Sequence, residues 1–336
     1  MINAMNYMSN YWTTIQNTLS LSSYVFKELD RKFNKNTKLR ILKETDPDLE
    51  SDLTGKVCVI TGGTRGIGAE VVKILLRKGC HVITGSSKTS ESERNKRYEQ
   101  IMSEVNTDSR GRLDIWHLDL KSMDSVVKFT KQFEESKLSL NYFIANAGAV
   151  NKNIKLTDDG FEEHIAVNYL SHCLLIDHFI DNMYRTAKQS DSESRIVMVS
   201  AGIHRMLTNV NTIETNNTKN SLIVTYSTSK LYQIMFTNRM TKWLADRGDD
   251  WRSRITLNSL HPGMCDTTFL DHFPMVETLR PMAAQACRTP KEGAETTIYA
   301  ILSKEMIGIS GTYLEDSAQE QPSVDAINIS LQNKLW

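Results

Sequence analysis

The sequence predicts a single α/β domain built on a doubly wound parallel sheet, preceded by an N-terminal helical extension. From residue 55 onward, short strand-like runs alternate with longer segments whose apolar residues recur at helical spacing. Several of these runs are continuously apolar, which is typical of parallel strands covered by helices on both faces. The chain has 336 residues, of which 40% are hydrophobic, so one substantial core can form without a second domain.

The predicted strands and helices follow one another in order along this domain. Lys56–Thr61 and His81–Thr84 are rich in β-branched residues, and the helical segment Gly66–Lys78 between them completes a βαβ unit. Further strands are predicted at Leu113–Leu118, Leu140–Ala145, Arg195–Ser200 and Ile255–Leu260, with helices at 122–136, 160–187 and 226–247. We therefore divide the chain into an N-terminal extension (1–54), the α/β domain (55–316) and a C-terminal tail (317–336).

Residues 1–26 of the extension contain no charged side chain, and apolar residues recur there at spacings of four and three. This apolar stripe consists of Met1, Met5, Met8, Trp12, Ile15 and Leu19. Residues 31–43 then carry only basic charges before the sign reverses at Glu44. Two interpretations stay open. The extension is either a helix docked on the domain, with a solvated basic run, or a peripheral membrane contact through residues 1–43 that faces anionic lipid.

A glycine-rich turn joins the first predicted strand to the first predicted helix. It reads Thr61-Gly62-Gly63-Thr64-Arg65-Gly66-Ile67-Gly68. Glycines let the backbone turn sharply and approach a pyrophosphate closely, while the free N–H groups of the following helix point at its charge. The turn therefore predicts a site for the phosphates of a dinucleotide, with its glycines spaced T-G-x-x-x-G-x-G.

Other polar motifs follow the later predicted strands in a fixed order. They are Asp119-Leu120, Asn146-Ala147-Gly148, Asn168, Ser200, Tyr226 with Lys230, and Pro262-Gly263 with Thr267. This order and the glycine spacing resemble the short-chain dehydrogenase/reductase superfamily over residues 55–315, which implies a Rossmann-type domain. Asp159–His164, Val167–His172 and the final segment through Trp336 further resemble its retinol-dehydrogenase-like branch, including the vertebrate X-linked dehydrogenase/reductase type.

Tyr226 and Lys230 are four residues apart and therefore share one face of a helix. An ammonium beside a phenol favours the phenolate, so we expect the pKa of Tyr226 to lie below its ordinary value. Tyr226 is then suited to act as the general acid/base. The resemblance implies that Lys230 also holds the nicotinamide ribose and that Ser200 binds the substrate oxygen. It also implies that Asn168 positions a water that relays protons.

Cofactor preference depends on the end of the second strand, where an acid would bind the adenosine ribose and repel a 2′-phosphate. This chain has Ser86-Ser87-Lys88 there, and Arg65 lies in the glycine turn as a second cation. Both features favour NADP(H) over NAD(H), although the related branch usually carries Arg where Ser87 stands. The cofactor-binding residues implied by the resemblance are Thr61, Gly62, Thr64, Arg65, Gly66, Ile67, Gly68, Ser87, Lys88, Asp119, Leu120, Asn146, Ala147, Gly148, Tyr226, Lys230, Pro262, Gly263 and Thr267.

The family resemblance places substrate-covering residues between Gly263 and Pro290. The apolar side chains there are Met264, Phe269, Leu270, Phe273, Met275, Val276, Leu279 and Met282. Two interpretations stay open: these residues pack a short helix onto the domain, or they cover a lipophilic substrate. The second favours reduction of a retinoid, an isoprenoid or another lipid carbonyl to its alcohol. A catalytically retired cofactor-binding interaction module and a soluble reductase of small polar carbonyls remain the alternatives.

Charge and cysteine content exclude several other classes of protein. The 40 basic and 40 acidic residues balance, so we expect no positive field of the kind that binds nucleic acid. Five scattered cysteines without a C-x-x-C pair indicate a reducing compartment and no metal site. The sequence shows no signal-peptide pattern and no apolar run long enough to span a bilayer. We expect a cytoplasmic protein, on the cytosolic face of an intracellular membrane if the extension binds lipid, and a homodimer by resemblance.

Overall fold

The centre of the molecule is one mostly parallel sheet. The computed structural model describes residues 46–50, 52–105, 110–207, 210–265 and 287–336. Its strands are β1 (Val57–Thr61), β2 (His81–Ser86), β3 (Arg112–His117), β4 (Tyr142–Ala145), β5 (Ser194–Val199), β6 (Ile255–His261), β7 (Tyr313–Glu315) and β8 (Ala318–Glu320). They lie in the order β3-β2-β1-β4-β5-β6-β7-β8, and every pairing is parallel except that of β7 with β8. The predicted α/β class and its parallel sheet are confirmed.

Helices cover both faces of this sheet. They are α1 (Gly66–Arg77), α2 (Glu91–Ser103), α3 (Met123–Glu135), α4 (Glu163–Ile165), α5 (Ser171–Ser190), α6 (Leu222–Asp246), α7 (Asp249–Arg254), α8 (Pro290–Leu302) and α9 (Ile329–Leu335). One apolar cluster joins α1 and α8 to the sheet, and a second joins α3, α5 and α6 to it. Because both faces are covered, β1 is buried along its whole length and shows no alternation of polar and apolar residues.

The order of strands reverses beside β1. This strand pairs with β2 on one side and with β4 on the other. In an open α/β sheet, a crevice forms at such a reversal, outside the carboxyl ends of the strands, and ligands bind there. The segments that follow Thr61 and Ala145 therefore border this crevice.

Two predicted helices differ in detail from those observed. The helix predicted at 160–187 is divided into α4, a π-helical turn (Ala166–Leu170) and α5. Such single π turns widen the backbone locally and are frequent at functional sites. The helix predicted to begin at residue 226 begins four residues earlier, because the Ser221 hydroxyl caps it by accepting the N–H of Val224.

Two of the observed helices, α2 and α8, were not predicted from the sequence. α2 buries only Ile101, so its apolar periodicity is weak. α8 carries a clearer signal, because Thr289 and Glu292 form a reciprocal capping box and Pro290 occupies the first helical turn. That pattern of Thr, Pro and Glu could have been found in the sequence.

Residues 317–336, set apart in the sequence as a tail, pack closely on the domain. β8 pairs with the outer edge of β7, and α9 packs against α6. Leu331 is buried, and the Trp336 ring stacks on Phe236 with centroids 5.7 Å apart. We call residues 318–336 the C-terminal strap.

The C-terminal strap holds the segment that follows β5. This segment begins with a 3-10 turn (Gly202–Met206), and its described residues from 210 to 221 have no regular secondary structure before α6 begins. The N–H of Ser323 donates to Nε2 of His204 at 3.1 Å. The N–H of Val210 donates to a carboxylate oxygen of Asp325 at 3.3 Å. The strap therefore supplies hydrogen-bond partners to this segment.

The predicted stripe and basic run of residues 1–43 lie outside the described residues. The end of the extension docks on the domain, because Leu49 and Leu53 are buried and the Tyr142 hydroxyl donates to the Glu50 carboxylate at 2.7 Å. Among the helices that the structure describes, none is both long enough and apolar enough to cross a membrane.

Candidate active site

The ends of four neighbouring strands bring the predicted motifs together. β1, β4, β5 and β6 end at Thr61, Ala145, Val199 and His261. The glycine turn, the Asn146-Ala147-Gly148 motif, Ser200 and the Pro262-Gly263 motif follow these four ends directly. Motifs that lie up to two hundred positions apart in the sequence therefore meet at one edge of the sheet.

The glycine turn forms a tight cradle at the start of α1. Gly62 and Gly66 have φ angles of +67° and +56°, which residues with a side chain rarely adopt. A Cβ on Gly68 would overlap the carbonyl oxygen of Gly62, so the helix can approach the turn only through glycine. Among the described residues, no side chain caps α1 at Arg65, and its first turn contains no acid. The cradle therefore fits a pyrophosphate held by backbone N–H groups.

Thr61 joins the end of β1 to the end of β4. Its hydroxyl oxygen accepts the N–H groups of Asn146 at 3.1 Å and Ala147 at 3.0 Å. The side-chain amide of Asn146 in turn donates to the carbonyl of Thr61 at 2.9 Å. These bonds hold the two sides of the crevice at a fixed separation.

Asn168 lies in the π-helical turn and is completely buried. Its Oδ1 accepts the N–H of Ala149 at 2.7 Å, and its Nδ2 donates to the Ala149 carbonyl at 3.2 Å and to the Ser229 hydroxyl at 2.9 Å. The side chain therefore ties the loop after β4 to α6. All these partners belong to the protein, so the water-positioning role that the resemblance implies for Asn168 stays a prediction.

Tyr226, Lys230 and Ser200 lie side by side between β5 and α6. Tyr226 and Lys230 are only 4% and 3% exposed, and the Lys230 ammonium lies 5.7 Å from the centroid of the Tyr226 ring. Lys230 Nζ donates to the carbonyl of Val199 at 2.9 Å, and the Ser200 hydroxyl donates to the carbonyl of Lys230 at 2.8 Å. The end of β5 and the helix that carries Tyr226 are thus joined by two hydrogen bonds, one donated from each side.

The expected lowering of the Tyr226 pKa is not observed. Burial instead raises the pKa of the Tyr226 phenol above its ordinary value, and burial lowers the pKa of the Lys230 ammonium to about 7. Removal from water disfavours the charged form of both groups. The expectation was wrong because it counted the neighbouring charge and not the desolvation that both groups share.

Lys230 and Asn168 also converge on Gly148. A Cβ placed on this glycine would lie 3.5 Å from Lys230 Nζ and 3.7 Å from Asn168 Oδ1. Gly148 is itself exposed to the crevice. The ammonium and the amide oxygen therefore border one small space that opens beside the backbone of Gly148.

Positive charge lies near the end of β2. Ser87, Lys88 and Arg65 are exposed. The Lys88 ammonium pairs with the Glu93 carboxylate at 3.3 Å, an acid that the sequence analysis did not consider. Arg94 donates to the carbonyls of Lys88 and Thr89 at 2.8 and 2.7 Å. This region therefore offers cations to an anionic group, with the Lys88 charge partly offset.

Asp119 and Leu120 follow β3 at the same edge of the sheet. An Asp119 carboxylate oxygen accepts the N–H of Lys121 at 3.0 Å, and the Asp119 N–H donates to the Ser125 hydroxyl at 2.9 Å. Leu120 is buried. Both residues are thus held in place before α3 begins.

Pro262 and Gly263 follow β6, and Arg288 covers them. Gly263 has a φ of +83°, and a Cβ there would overlap the Arg288 side chain. The Arg288 guanidinium forms an ion pair with Asp316 in the turn between β7 and β8. The sequence analysis missed Arg288, because no local pattern marks a contact between residues so far apart. Thr267 and the apolar residues after Met264 lie outside the described residues.

An apolar wall stands beside Tyr226. Val150 and Ile203 form a buried cluster with Tyr226, and four further residues pack against it. These are Ala201, Met206, Leu222 and Ile223. The sequence analysis did not select these residues, although each lies within a few positions of a predicted site residue.

Tyr184 and Lys188 repeat the Tyr–Lys spacing but lie elsewhere. Their helix, α5, places the Tyr184 ring parallel to Trp251 at 4.0 Å between centroids. Lys188 pairs with Asp250 at 3.5 Å. This second pair therefore belongs to the contact between α5 and α7.

The sequence is similar to those of known proteins over most of its length. The family model described as short chain dehydrogenase matches residues 56–275. Similar curated proteins include polyprenol dehydrogenase of Danio rerio, 32% identical over 306 residues and covering 90% of this chain and 89% of that protein. Retinol dehydrogenase 14 of Homo sapiens is 30% identical and covers 88% of each chain. The chloroplastic short-chain dehydrogenase TIC 32 B of Brassica napus is 32% identical and covers 83% and 85%.

Solved structures share the fold at lower sequence identity. A crystal structure of an uncharacterized protein from Mycobacterium paratuberculosis has a TM-score of 0.65 and 23% identity, and covers 88% of this chain and 94% of that one. The RhlG complex with NADP from Pseudomonas aeruginosa has a TM-score of 0.57 and 18% identity, with coverage of 78% and 95%. The NADH-dependent reductase A1-R′ with NAD has a TM-score of 0.57 and 19% identity, with coverage of 80% and 97%. Proteins of this fold therefore include binders of either nucleotide.

Proposed function

Because the chain belongs to the short-chain dehydrogenase/reductase family, we propose that it is an NADP-dependent oxidoreductase that interconverts a lipophilic alcohol and its aldehyde or ketone. Family membership makes it an oxidoreductase of CH–OH groups that uses a nicotinamide dinucleotide. The choice of NADP and of a lipophilic substrate is our proposal. The observation that carries it is the meeting of Tyr226, Lys230 and Ser200 beside both the glycine cradle and the apolar wall.

Tyr226 is the proton donor of the reduction. The nucleotide, when bound, supplies a hydride for reduction or accepts one in oxidation. As the carbonyl carbon gains two electrons, its oxygen takes the phenolic proton of Tyr226, and in oxidation the same proton returns. Burial raises the pKa of Tyr226, so the phenol holds its proton until negative charge develops on the substrate oxygen during hydride transfer.

Lys230 and Ser200 support this proton transfer. Burial lowers the pKa of Lys230 to about 7, so its ammonium can give up and regain a proton near neutral pH and restore the proton of Tyr226. Ser200 donates to the Lys230 carbonyl, and a rotation of its hydroxyl lets it donate to the substrate oxygen instead. Asn168 fixes the loop that begins at Gly148 and thereby the space beside Lys230.

The proposed preference for NADP rests on the charges near the end of β2. Lys88 after β2 and Arg65 in the glycine turn after the neighbouring strand β1 are exposed, and a guanidinium binds a phosphate through charge-assisted, bidentate hydrogen bonds. In the described residues, the β2 end itself carries no acid to repel a 2′-phosphate. Glu93 pairs with Lys88 and weakens its contribution, so we assign the larger part to Arg65.

The proposed lipophilic substrate rests on the wall beside Tyr226. Val150 and Ile203 are buried, and the side chains that pack against them are apolar. The names of two similar proteins specify a polyprenol and retinol as alcohols. An isoprenoid or retinoid carbonyl would bury apolar surface against the partly exposed members of this wall, which are Ala201, Met206, Leu222 and Ile223, whereas a small polar carbonyl has little apolar surface to bury.

The decisive experiment combines nucleotide binding with turnover. The purified chain is titrated with NADPH and NADH while cofactor fluorescence is followed, and then tested with all-trans-retinal, longer isoprenals and small polar carbonyls. We expect tighter binding of NADPH, turnover of the lipophilic aldehydes, and loss of turnover in Tyr226→Phe. Tyr184→Phe is the matched control, because Tyr184 has the same spacing to Lys188 but lies outside the site. Nucleotide binding without turnover of any carbonyl would favour a retired enzyme, and turnover of polar carbonyls alone would exclude the lipophilic substrate.

A peripheral membrane contact through residues 1–43 and a homodimer remain part of the proposal. The six basic residues between 31 and 43 support the first, because each contributes attraction to an anionic surface. Sedimentation with vesicles of anionic and of zwitterionic lipid tests the contact, using the full chain and a chain that lacks residues 1–43. Light scattering of the same samples measures the oligomeric state.

A further inference from the structure

His172 is a buried histidine that has no part in the proton transfer proposed above. It lies on α5, two positions after the π-helical turn ends, and is 0% exposed. Its Nδ1 lies 2.9 Å from the main-chain oxygen of Asn168, and its Nε2 lies 2.8 Å from the Thr61 hydroxyl. One imidazole therefore touches both the turn that carries Asn168 and the strand that leads into the glycine cradle.

The two partners fix the tautomer of His172. A main-chain carbonyl can only accept, so Nδ1 carries the proton and donates it to Asn168. Nε2 of the neutral ring is then the acceptor, and the Thr61 hydroxyl donates to it. Burial, with a further contribution from the Lys230 charge, lowers the pKa of His172 to about 4. The ring is therefore neutral at physiological pH, with one proton on Nδ1, and does not take up a second proton to relay it.

The hydroxyl of Thr61 extends this connection to the loop after β4. Its proton is committed to His172, and its oxygen accepts the N–H groups of Asn146 and Ala147. The hydrogen bonds thus run in one direction from the β4 loop to Thr61 and on to His172. His172 in turn donates to Asn168, so the ends of β1 and β4 and the π-helical turn are linked through one ring.

The π-helical turn depends on side chains for part of its hydrogen bonding. The Ser171 hydroxyl donates to the carbonyls of Ala166 at 2.7 Å and Val167 at 3.2 Å. His172 donates to the next carbonyl, that of Asn168. These two side chains therefore help to set the position of three consecutive peptide groups.

We propose that His172 is a positioning residue that holds Asn168 in register with the glycine cradle, so that the nucleotide and the catalytic groups keep a fixed separation. This inference rests on the proposed oxidoreductase function. It predicts that the hydrogen-bonding pattern at position 172 matters more than the volume of the side chain. A phenylalanine fills the space but leaves the Thr61 hydroxyl and the Asn168 carbonyl without this partner, whereas a glutamine offers one N–H donor and one carbonyl acceptor.

The test compares His172→Phe with His172→Gln. In His172→Phe we expect kcat to fall about ten- to a hundredfold, because small displacements of reacting groups have effects of that size. The dissociation constant for NADPH should change much less. His172→Gln should recover most of the lost kcat. His178→Phe is the control, since His178 lies on the same helix and is exposed.

Two results would overturn the proposal. One is a His172→Phe variant with the wild-type kcat, and the other is a His172→Gln variant that is folded and yet as slow as His172→Phe. Thermal unfolding of each variant shows whether a lost activity reflects a lost fold, and a recovery of kcat by Gln at unchanged stability separates positioning from a structural role.

A second measurement does not depend on turnover. Nitrogen NMR of histidine-labelled protein should show that the His172 ring is protonated at Nδ1 only. Because the pKa of His172 is about 4, the ring should take up no second proton near neutral pH. In Thr61→Val, which lacks the hydroxyl, the chemical shift of His172 Nε2 should move toward the value of a ring nitrogen that accepts no hydrogen bond. If the wild-type chain reduced no carbonyl, the proposed function would fail. A His172 ring protonated at Nε2 and not at Nδ1 could not donate to the Asn168 carbonyl, and this result would refute the positioning role independently of turnover.

Discussion

Gly148 offers a sharp test of where the nucleotide and the proton path meet. The change is Gly148→Ala, whose added methyl group would lie 3.5 Å from Lys230 Nζ and 3.7 Å from Asn168 Oδ1. These are ordinary van der Waals distances, and the φ angle of Gly148 is not among the positive ones, so the fold tolerates the methyl group. We expect the free energy of unfolding to stay equal or rise by up to about 1 kcal/mol, because alanine restricts the unfolded chain.

The same methyl group fills the space that Lys230 and Asn168 border. We expect kcat to fall about a hundredfold, which corresponds to about 2.7 kcal/mol of activation free energy. The expected signature is therefore a stable protein with impaired turnover. The assay is urea denaturation together with NADPH titration and single-turnover reduction of a lipophilic aldehyde.

Gly308→Ala is the reciprocal control. Gly308 has a φ of +72° with open space around it, so alanine there strains the backbone by about 1 kcal/mol without touching the crevice. It should lower stability and leave kcat unchanged. A Gly148→Ala variant that binds NADPH and turns over like the wild type would refute the assignment of this space to catalysis.

Three further predictions concern charge. Arg65→Ala should raise the dissociation constant for NADPH about tenfold or more and leave that for NADH unchanged, and equal effects on both nucleotides in a fluorescence titration would refute the NADP assignment. Burial lowers the pKa of Lys230 to about 7 from an ordinary value of 10.5. Between pH 7 and pH 10.5 the unfolded chain therefore binds more protons at Lys230 than the folded chain does. The contribution of Lys230 to the free energy of unfolding rises with pH across that range. In urea denaturation, Lys230→Met should remove this rise, and an unchanged pH dependence would contradict it. Arg288→Met should lower the free energy of unfolding by about 3 kcal/mol, because the partly buried Asp316 loses its partner. If the loss of that ion pair is the cause, the double variant Arg288→Met with Asp316→Asn should recover part of the lost stability.

The sequence predicted those features that depend on neighbours along the chain. The alternation of strands and helices and the glycine turn are local patterns, and the structure places β1, the turn and α1 within a residue of the predicted bounds. The π-helical turn at Asn168 was missed because apolar spacing does not distinguish it from an α-helix, and the contacts of Asn168 with Ala149 and Ser229 are made only by the fold. Apolar spacing cannot show such contacts.

The protonation states of Tyr226 and Lys230 could not be predicted from the sequence, for a related reason. A spacing of four residues places Lys230 beside Tyr226, but it does not show that both side chains lose almost all contact with water. Desolvation then dominates the charge effect and raises the pKa of Tyr226. Arg288 over Gly263 and His172 beneath Thr61 are likewise contacts made by the fold, since no motif joins their positions in the sequence.

The C-terminal strap also bears on the order in which the molecule is completed during synthesis. The glycine cradle, Ser200 and Tyr226 all leave the ribosome before residue 318, whereas the turn that carries Ile203 and His204 receives bonds from the strap. The wall beside Tyr226 therefore gains its last support only when residues 318–336 have been synthesised. A chain that stopped before the strap would lack these bonds, so we expect its turnover to fall more than its affinity for the nucleotide.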